Sequence, residues 1–322
     1  MNAVRGFPVA CLTAFLLALS GHEASPQVTG TIKIVVPYPA GGGADILARL
    51  LGEQVGRSHG STVVIENRPG AGTSIGTEAA SRAAPDGNTV LMNAPEFVIN
   101  PHLKNLNYDP LTSFEPVCYL VRLPAVMVVN SESPYRTLAE FVSAARAKPG
   151  ELTLASTGPG TVFHIAFERF KRVADVDITF VPFAGNAPAT NALLGGHVAA
   201  GFAVYPVVAQ QIKAGKLRAL ATGGQARLET LPDVSTFIEA GYQDYEVDVW
   251  LGLVAPAKTP TGALTHLAGL FTAALQAPEV KSKLAAQGFY PAVTCGANFG
   301  ALLRQQYETY GRVIRDAKIK AP

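Results

Sequence analysis

Charge is scarce in this chain, and so is cysteine. Only 16% of the 322 residues are Asp, Glu, Lys or Arg, and the formal net charge is +2, with no block of like charges. No basic face exists to attract nucleic acid, so no nucleic-acid partner is expected. Apolar residues make up 48%, enough for a large core and too many for a disordered chain. Three cysteines without a Cys-x-x-Cys pair leave no thiol redox centre and no structural zinc site. Histidines are few and scattered: His59, His102, His197 and His266 form no cluster. His164 and Glu168 stand at i, i+4 on an expected helix, but no third ligand lies near, so a polar pair fits better than a metal site. No metal and no cofactor are expected. Beyond the N-terminus, no segment reaches membrane-spanning length without charges or breakers.

The N-terminus differs from the rest. Arg5 precedes an uncharged apolar run over residues 7–20, and Ala18, Ser20 and Ala24 supply small residues for a cut near 20–24. This is the pattern of a cleaved secretory signal over residues 1–24, and the run is short for a membrane anchor. Cys11 sits too early in it for a lipoprotein cysteine. Export leaves Cys118 and Cys295, which an oxidising compartment could pair; two cysteines so far apart do not decide it.

What is present in quantity is alternation. Apolar, β-branched runs at 32–36, 62–66, 89–93, 126–130, 152–156, 178–183, 198–204 and 217–222 predict strands. They are mostly continuous rather than alternating, as strands covered on both faces are. Between them apolar residues recur at helical spacing: Ile46, Leu47, Leu50, Leu51 and Val55 form one stripe, and Leu138, Phe141, Val142 and Ala145 another. The fold class is therefore α/β with largely parallel sheets. Gly87 is expected to close a turn and Gly215 to end a helix. Two extended runs, 114–124 and 247–256, read as crossings between two lobes. One lobe would comprise 28–122 plus 250–322, the other 123–249, with a cleft between them.

The candidate sites are glycine-rich turns from strand to helix. In the first, Gly41, Gly42 and Gly43 let the backbone approach a ligand, and the following helix offers free N–H groups to an anion. Asp45, in the first helical turn, can hydrogen-bond the loop amides. A dinucleotide fold is disfavoured because Ile46 stands at the third glycine position. Gly72-Thr73-Ser74-Ile75-Gly76 spells a serine nucleophile motif, but the loop 67–71 separates it from its strand, so no elbow forms. In the other lobe Ser156 and Thr157 end a strand, Gly158 and Gly160 turn, and Thr161 can cap a helix. A further loop follows Phe183. Trp250, on a crossing strand, suits core packing and cleft lining equally.

Taken together, the segments 33–51, 65–92, 99–103, 156–161, 191–198, 212–221, 231–241 and 251–260 closely resemble the Bug family. These are the periplasmic solute-binding proteins of tripartite tricarboxylate transporters. The resemblance runs over essentially the whole chain after the signal. It implies a type II periplasmic binding fold, no enzymatic activity, a monomer, and a small carboxylate ligand passed to membrane transporter subunits. It also implies a binding site at Tyr38, Ala40, Gly41, Gly42, Asp45, Asn93 and Ala94 in one lobe. In the other it implies Ser156, Thr157, Thr161, Phe183 and Ala203, with Trp250 on the crossing. The chain departs from the family at Ala184 and Ala203, where a Lys and an Asp are common. Both changes remove charge, which predicts an aromatic or aliphatic acid with an apolar distal end near Phe183, Phe202 and Tyr205. A sensory role, or an exported enzyme on the same scaffold, is the alternative.

Overall fold

The structure, a computed structural model, describes Met1 and residues 30–319 except 159, 184 and 244. The expected signal segment lies outside the described residues. The first part of the chain runs β1 (Thr31–Val36), α1 (Gly43–His59), β2 (Thr62–Asn67), α2 (Ser74–Ser81), β3 (Thr89–Asn93), α3 (Glu96–Ile99) and a 3-10 turn at Asn100–His102. The long β4 (Phe114–Asn130) follows. Then come α4 (Leu138–Ala147), β5 (Thr153–Thr157), α5 (Val162–Ala174), β6 (Thr179–Phe183), α6 (Asn186–Leu194), β7 (Ala200–Val204), α7 (Tyr205–Lys213) and β8 (Leu217–Thr222). The chain returns through β9 (Asp248–Pro256) and closes with α8 (Thr261–Gln276), α9 (Pro278–Ala286), β10 (Tyr290–Cys295) and α10 (Gly296–Asp316).

Each expected strand run meets a strand, but 114–124 and 126–130 are one strand rather than two. Pro116 and Pro124 break the run in sequence because neither can donate to a ladder. Both are accommodated. The register shifts just after Pro116, and Pro124 pairs with Asp248 where β4 leaves its first set of neighbours. Residues Phe114–Pro124 pair with β9, and β10 lies along the same half. Residues Ala125–Asn130 pair instead with β7 and β8. One strand thus belongs to two sheets, in the order β2-β1-β3-β9-β4 and then β4-β7-β5-β6. The outer strands pair in parallel, as β1 does with β2 and β3 and as β5 does with β6 and β7. Every pairing of β4 is antiparallel, so the sheets are less purely parallel than the sequence suggests.

Helices cover both faces of these sheets. In β4, Ala125, Met127 and Val129 face one apolar cluster while Val126 and Val128 face another. That period of two on a strand buried on both sides is why the sequence reads as a continuous apolar run. The edge strand β10 escapes the sequence pattern because Pro291 interrupts a six-residue run. Cys295 faces Cys118 across the β10–β4 ladder, and the two form a disulfide spanning 177 residues of chain. At the crossing, Ala125, Gly223 and Val247 exchange backbone hydrogen bonds. Beside them Arg122 pairs with buried Asp248 at 3.3 Å, and burial pushes the Asp248 carboxyl up to about 6.

Candidate functional site

In the first lobe the site is the turn between β1 and α1. The strand ends at Val36, and helical bonding starts when Ile46 N–H reaches the Gly42 carbonyl at 2.9 Å. Gly41 takes a φ of 82°, the left-handed conformation for which glycine suits the turn. Ala40, Gly41 and Gly42 are exposed, so a ligand can reach this turn. Gly42, at the helix cap, has no side chain to satisfy the first amides. Asp45 acts one residue before the cap: its Oδ2 accepts the Gly41 N–H at 2.8 Å while the residue itself is 3% exposed.

The same carboxylate anchors a ring of bonds. Arg49 Nε donates to both Asp45 oxygens at 3.0 Å, and Arg49 Nη2 donates to Asn67 Oδ1 at 3.1 Å. Asn67 Nδ2 then donates to the Tyr38 carbonyl at 3.2 Å. The two ends of the glycine turn, the Tyr38 carbonyl and the Gly41 amide, are thereby tied to one charged network on the end of β2. Burial acts to raise the Asp45 carboxyl, but Arg49 and the Gly41 N–H outweigh it and hold it below the usual carboxylate range. Sequence reasoning identified Asp45 and missed Arg49 and Asn67. The i, i+4 spacing of Asp45 and Arg49 was a usable signal. Asn67 becomes a partner only through the β1–β2 pairing.

At the end of β3, Asn93 and Ala94 are buried, and neither amide atom of Asn93 has a hydrogen-bond partner among the described residues. A buried amide without partners is costly and is a natural place for a ligand or water to bind. Two residues on, Glu96 opens α3. It is half-buried, its Oε2 accepts the Tyr38 hydroxyl at 3.2 Å, and burial pushes its carboxyl above the usual range. Nothing in the sequence marked Glu96, because its partner Tyr38 lies 58 residues away along the chain.

The second lobe offers the turn from β5 to α5, built without charge. Thr161 caps the helix by accepting the His164 N–H at 3.4 Å. Its hydroxyl donates to the Gly158 carbonyl at 2.9 Å and accepts from the Thr157 hydroxyl at 3.1 Å. His164 Nδ1 accepts the Gly160 N–H at 3.2 Å, and its ring stacks on Phe180 at 4.6 Å between centroids. That bond requires a neutral ring nitrogen, and burial keeps the imidazole below its usual pKa. His164 therefore holds the loop in shape and Glu168 lies 4.0 Å from its other nitrogen. Ser156, fully buried, donates to the Phe202 carbonyl at 3.2 Å, which locks the end of β5 to β7. Phe183 ends β6 half-exposed, and its carbonyl lies against Gly158.

Phe202, Tyr205 and Ala203 are buried away from a ligand wall, and Trp250 takes the core-packing alternative. Phe202 is 2% exposed and packs among Phe163, Phe170 and Phe237, so it belongs to the lobe's core and not to a ligand wall. Its strand neighbour Ala203 faces the opposite apolar cluster and is also buried. Trp250 is 2% exposed, stacks with Tyr119 at 5.8 Å, and donates its Nε1 to Gln306 at 2.7 Å. It is a satisfied core side chain. Tyr205 is buried against Gly288 of the first lobe. Which face of a strand a residue occupies depends on its sheet, and that is not written in the residue.

Ser74 does not form a nucleophile elbow. It is the first residue of α2, and a six-residue loop separates it from β2. Among the described residues no cluster of His, Cys, Asp or Glu is arranged to hold a metal ion, and no described helix is long and apolar enough to cross a membrane.

The fold is shared with known proteins. Residues 47–319 match the family described as tripartite tricarboxylate transporter family receptor. The chain is 33% identical to protein BugT of Bordetella pertussis over 294 residues, covering 90% of each. The solved structure of periplasmic binding protein BugD superposes with a TM-score of 0.80 at 32% identity, over 91% of this chain and 99% of that one. The structure of R. palustris Rpa4515 with adipate gives a TM-score of 0.83 at 30% identity, with the same coverage. These matches show a type II periplasmic binding fold of two α/β lobes joined by crossing strands.

Proposed function

The chain belongs to the tripartite tricarboxylate transporter receptor family, and from that premise we propose that it is an exported solute-binding protein. It closes two lobes on a small carboxylate and passes it to the membrane subunits of a transporter. The observation that carries this reading is the facing pair of strand-to-helix turns. Each follows a parallel strand and opens a helix, where ligands of open α/β sheets bind, and at the start of α1 no side chain caps the first amides. A carboxylate suits such amides without any fixed cation. Arg49, beside the first turn, is already committed to Asp45 and Asn67.

The proposed site is Tyr38 to Asp45 with Asn93 and Ala94 on one side, and Ser156, Thr157, Thr161 and Phe183 on the other. The lobes divide near residues 122–123 and 249–250 and move about the crossing. The protein acts without catalysis, after cleavage of its signal near residues 20–24. A relative solved with adipate supports a carboxylic acid as the ligand class. The second-lobe turn carries no charged side chain of its own, which favours an aromatic or aliphatic acid with an apolar distal end. Native mass spectrometry of the purified protein should show a co-purifying acid, and calorimetry should show tight binding of aliphatic or aromatic acids. Tight binding of citrate or aspartate with neither of those would overturn the ligand class.

A further inference from the structure

A carboxylate outside the proposed binding site lies at the crossing where the lobes join. Asp248 opens β9 and pairs with Pro124 of β4, next to the point where β4 takes up its second-lobe partners. Its side chain is 9% exposed, and neither carboxylate oxygen accepts a hydrogen bond of good geometry among the described residues. Arg122, two residues before Pro124, reaches Oδ2 at 3.3 Å while its own side chain stays 31% exposed. By the division given above, Arg122 belongs to the first lobe and Asp248 to the second. The lobes also meet at two other places. A Cβ on Gly160 would lie 2.8 Å from the Leu103 methyl, and one on Gly288 would lie 2.7 Å from the Tyr205 ring. A carboxylate taken out of water is costly unless it is both paired and hydrogen-bonded. Asp248 has a single ion-pair contact, from an arginine that faces water.

We propose that Asp248 is a spring in the hinge: closing the lobes shuts its charge away from water, parting them lets water back, and the ionised residue therefore drives opening and ligand release. This spring acts on the site proposed above and rests on that two-lobe reading. Rotation about residues 122–123 and 249–250 moves Arg122 relative to Asp248, because the pair straddles the division. The neighbours set the strength. Burial is the main cause that raises the Asp248 carboxyl above its ordinary 3.8, to about 6; Glu246 adds to it, and Arg122 and the Ala125 N–H offset part. Gln225 donates to the Glu246 carboxylate at 3.1 Å, and Arg169 donates to the Glu246 carbonyl at 3.2 Å. Tyr119 on β4 and Tyr310 on α10 feel the charge of Asp248, and burial raises both phenols, so they stay neutral. A solvated Asp248 in the open form returns toward its ordinary value. Protonation then favours closure: the gain is complete below 3.8 and is lost as pH rises through about 6. Acidification from about pH 7.5 to about pH 5 strengthens ligand binding by roughly tenfold through this residue.

Two measurements on the full mature chain test this. Calorimetry with hexanoate compares wild type with Asp248→Asn, which keeps the shape and removes the charge. His164 and the ligand also titrate in this range, but both are common to the two proteins and cancel in the comparison. At about pH 7.5 Asp248→Asn should bind at least tenfold more tightly than wild type, and that advantage should shrink at least fivefold by about pH 5. Equal affinities at the higher pH, or an advantage that does not change with pH, overturn the spring. Arg122→Gln acts in the opposite direction: it removes the countercharge, so it should weaken binding at about pH 7.5 and enlarge the gain on acidification. Binding like wild type at both pH values overturns the spring as well. Small-angle scattering without ligand reads the hinge by itself. At about pH 7.5 the radius of gyration should be smaller in Asp248→Asn than in wild type, and the difference should fade by about pH 5. Equal radii at the higher pH overturn the spring. If no variant binds hexanoate at either pH while the radii still differ in this way, the carboxylate reading fails and the spring stands.

Discussion

The two glycine turns, one in each lobe, are built from different materials. The β1–α1 turn is fixed by charge: Asp45, Arg49 and Asn67 tie both of its ends to the sheet. The β5–α5 turn is fixed by neutral groups, the hydroxyls of Thr157 and Thr161 and the ring of His164. Charged hydrogen bonds are roughly twice as strong as neutral ones, so the first turn is the stiffer. The first lobe is also stapled by Cys118–Cys295, close to the crossing. A preformed anchor in one lobe and a softer, uncharged turn in the other suit a protein that grips the same chemical group in every ligand and varies what it accepts beyond it.

The largest test of that asymmetry is the disulfide. Replacing both cysteines with serine should lower stability by about 2–5 kcal/mol, measured by urea unfolding, since a cross-link over so long a loop restricts the unfolded chain. The loss should fall on the first lobe: amide exchange should speed up in β4, β9 and β10 before β5 and β6. Uniform loss of protection across both lobes would break the comparison.

Next in size is Asp45→Ala. It removes the charged acceptor of the Gly41 amide, and a hydrogen bond to a charged group contributes about 1.5–3 kcal/mol. Affinity for the best-binding acid should drop at least tenfold by calorimetry, because the turn loses its shape. Unchanged affinity would mean the β1–α1 turn is not the anchor.

Thr161→Ala probes the other side. Loss of the cap should cost about 1 kcal/mol of thermal stability. Its effect on affinity should be smaller than that of Asp45→Ala, and it should differ between short and long acids. An equal or larger loss than in Asp45→Ala reverses the assignment of anchor and adaptable side.

The smallest effect is one of pH. The folded-state pKa of His164 lies below its usual value, so the neutral imidazole contributes stability that is present above about pH 6.5 and is lost as pH falls. The Gly160 amide should exchange faster on acidification, while Gly41 keeps its protection because Asp45 stays ionised to lower pH. Glu168, 4.0 Å away, offsets part of the effect by favouring the protonated ring. His164→Gln should flatten the acid limb for Gly160 alone.

These contrasts were unevenly legible in the sequence. Asp45 and Thr161 could be read because their work is local: a first-turn carboxylate reaching a loop amide, and a hydroxyl capping the helix it precedes. Strand runs were visible because strands covered on both faces are continuously apolar. Asn67 was invisible because it reaches Tyr38 only across the β1–β2 pairing, and Glu96 because its bond to the Tyr38 hydroxyl spans 58 residues of chain. Phe202 and Trp250 were drawn toward the cleft by their chemistry, and the sheets turn both into the core. The continuity of β4 was hidden by two prolines that the crossing tolerates.

The central claim is that backbone amides of two facing helix starts hold a carboxylate. Calorimetry of wild-type protein with an acid and its neutral amide, hexanoate against hexanamide, tests it most directly. The account predicts that hexanoate binds at least a hundredfold more tightly, and that Asp45→Ala narrows the gap. Equal binding of acid and amide would contradict it.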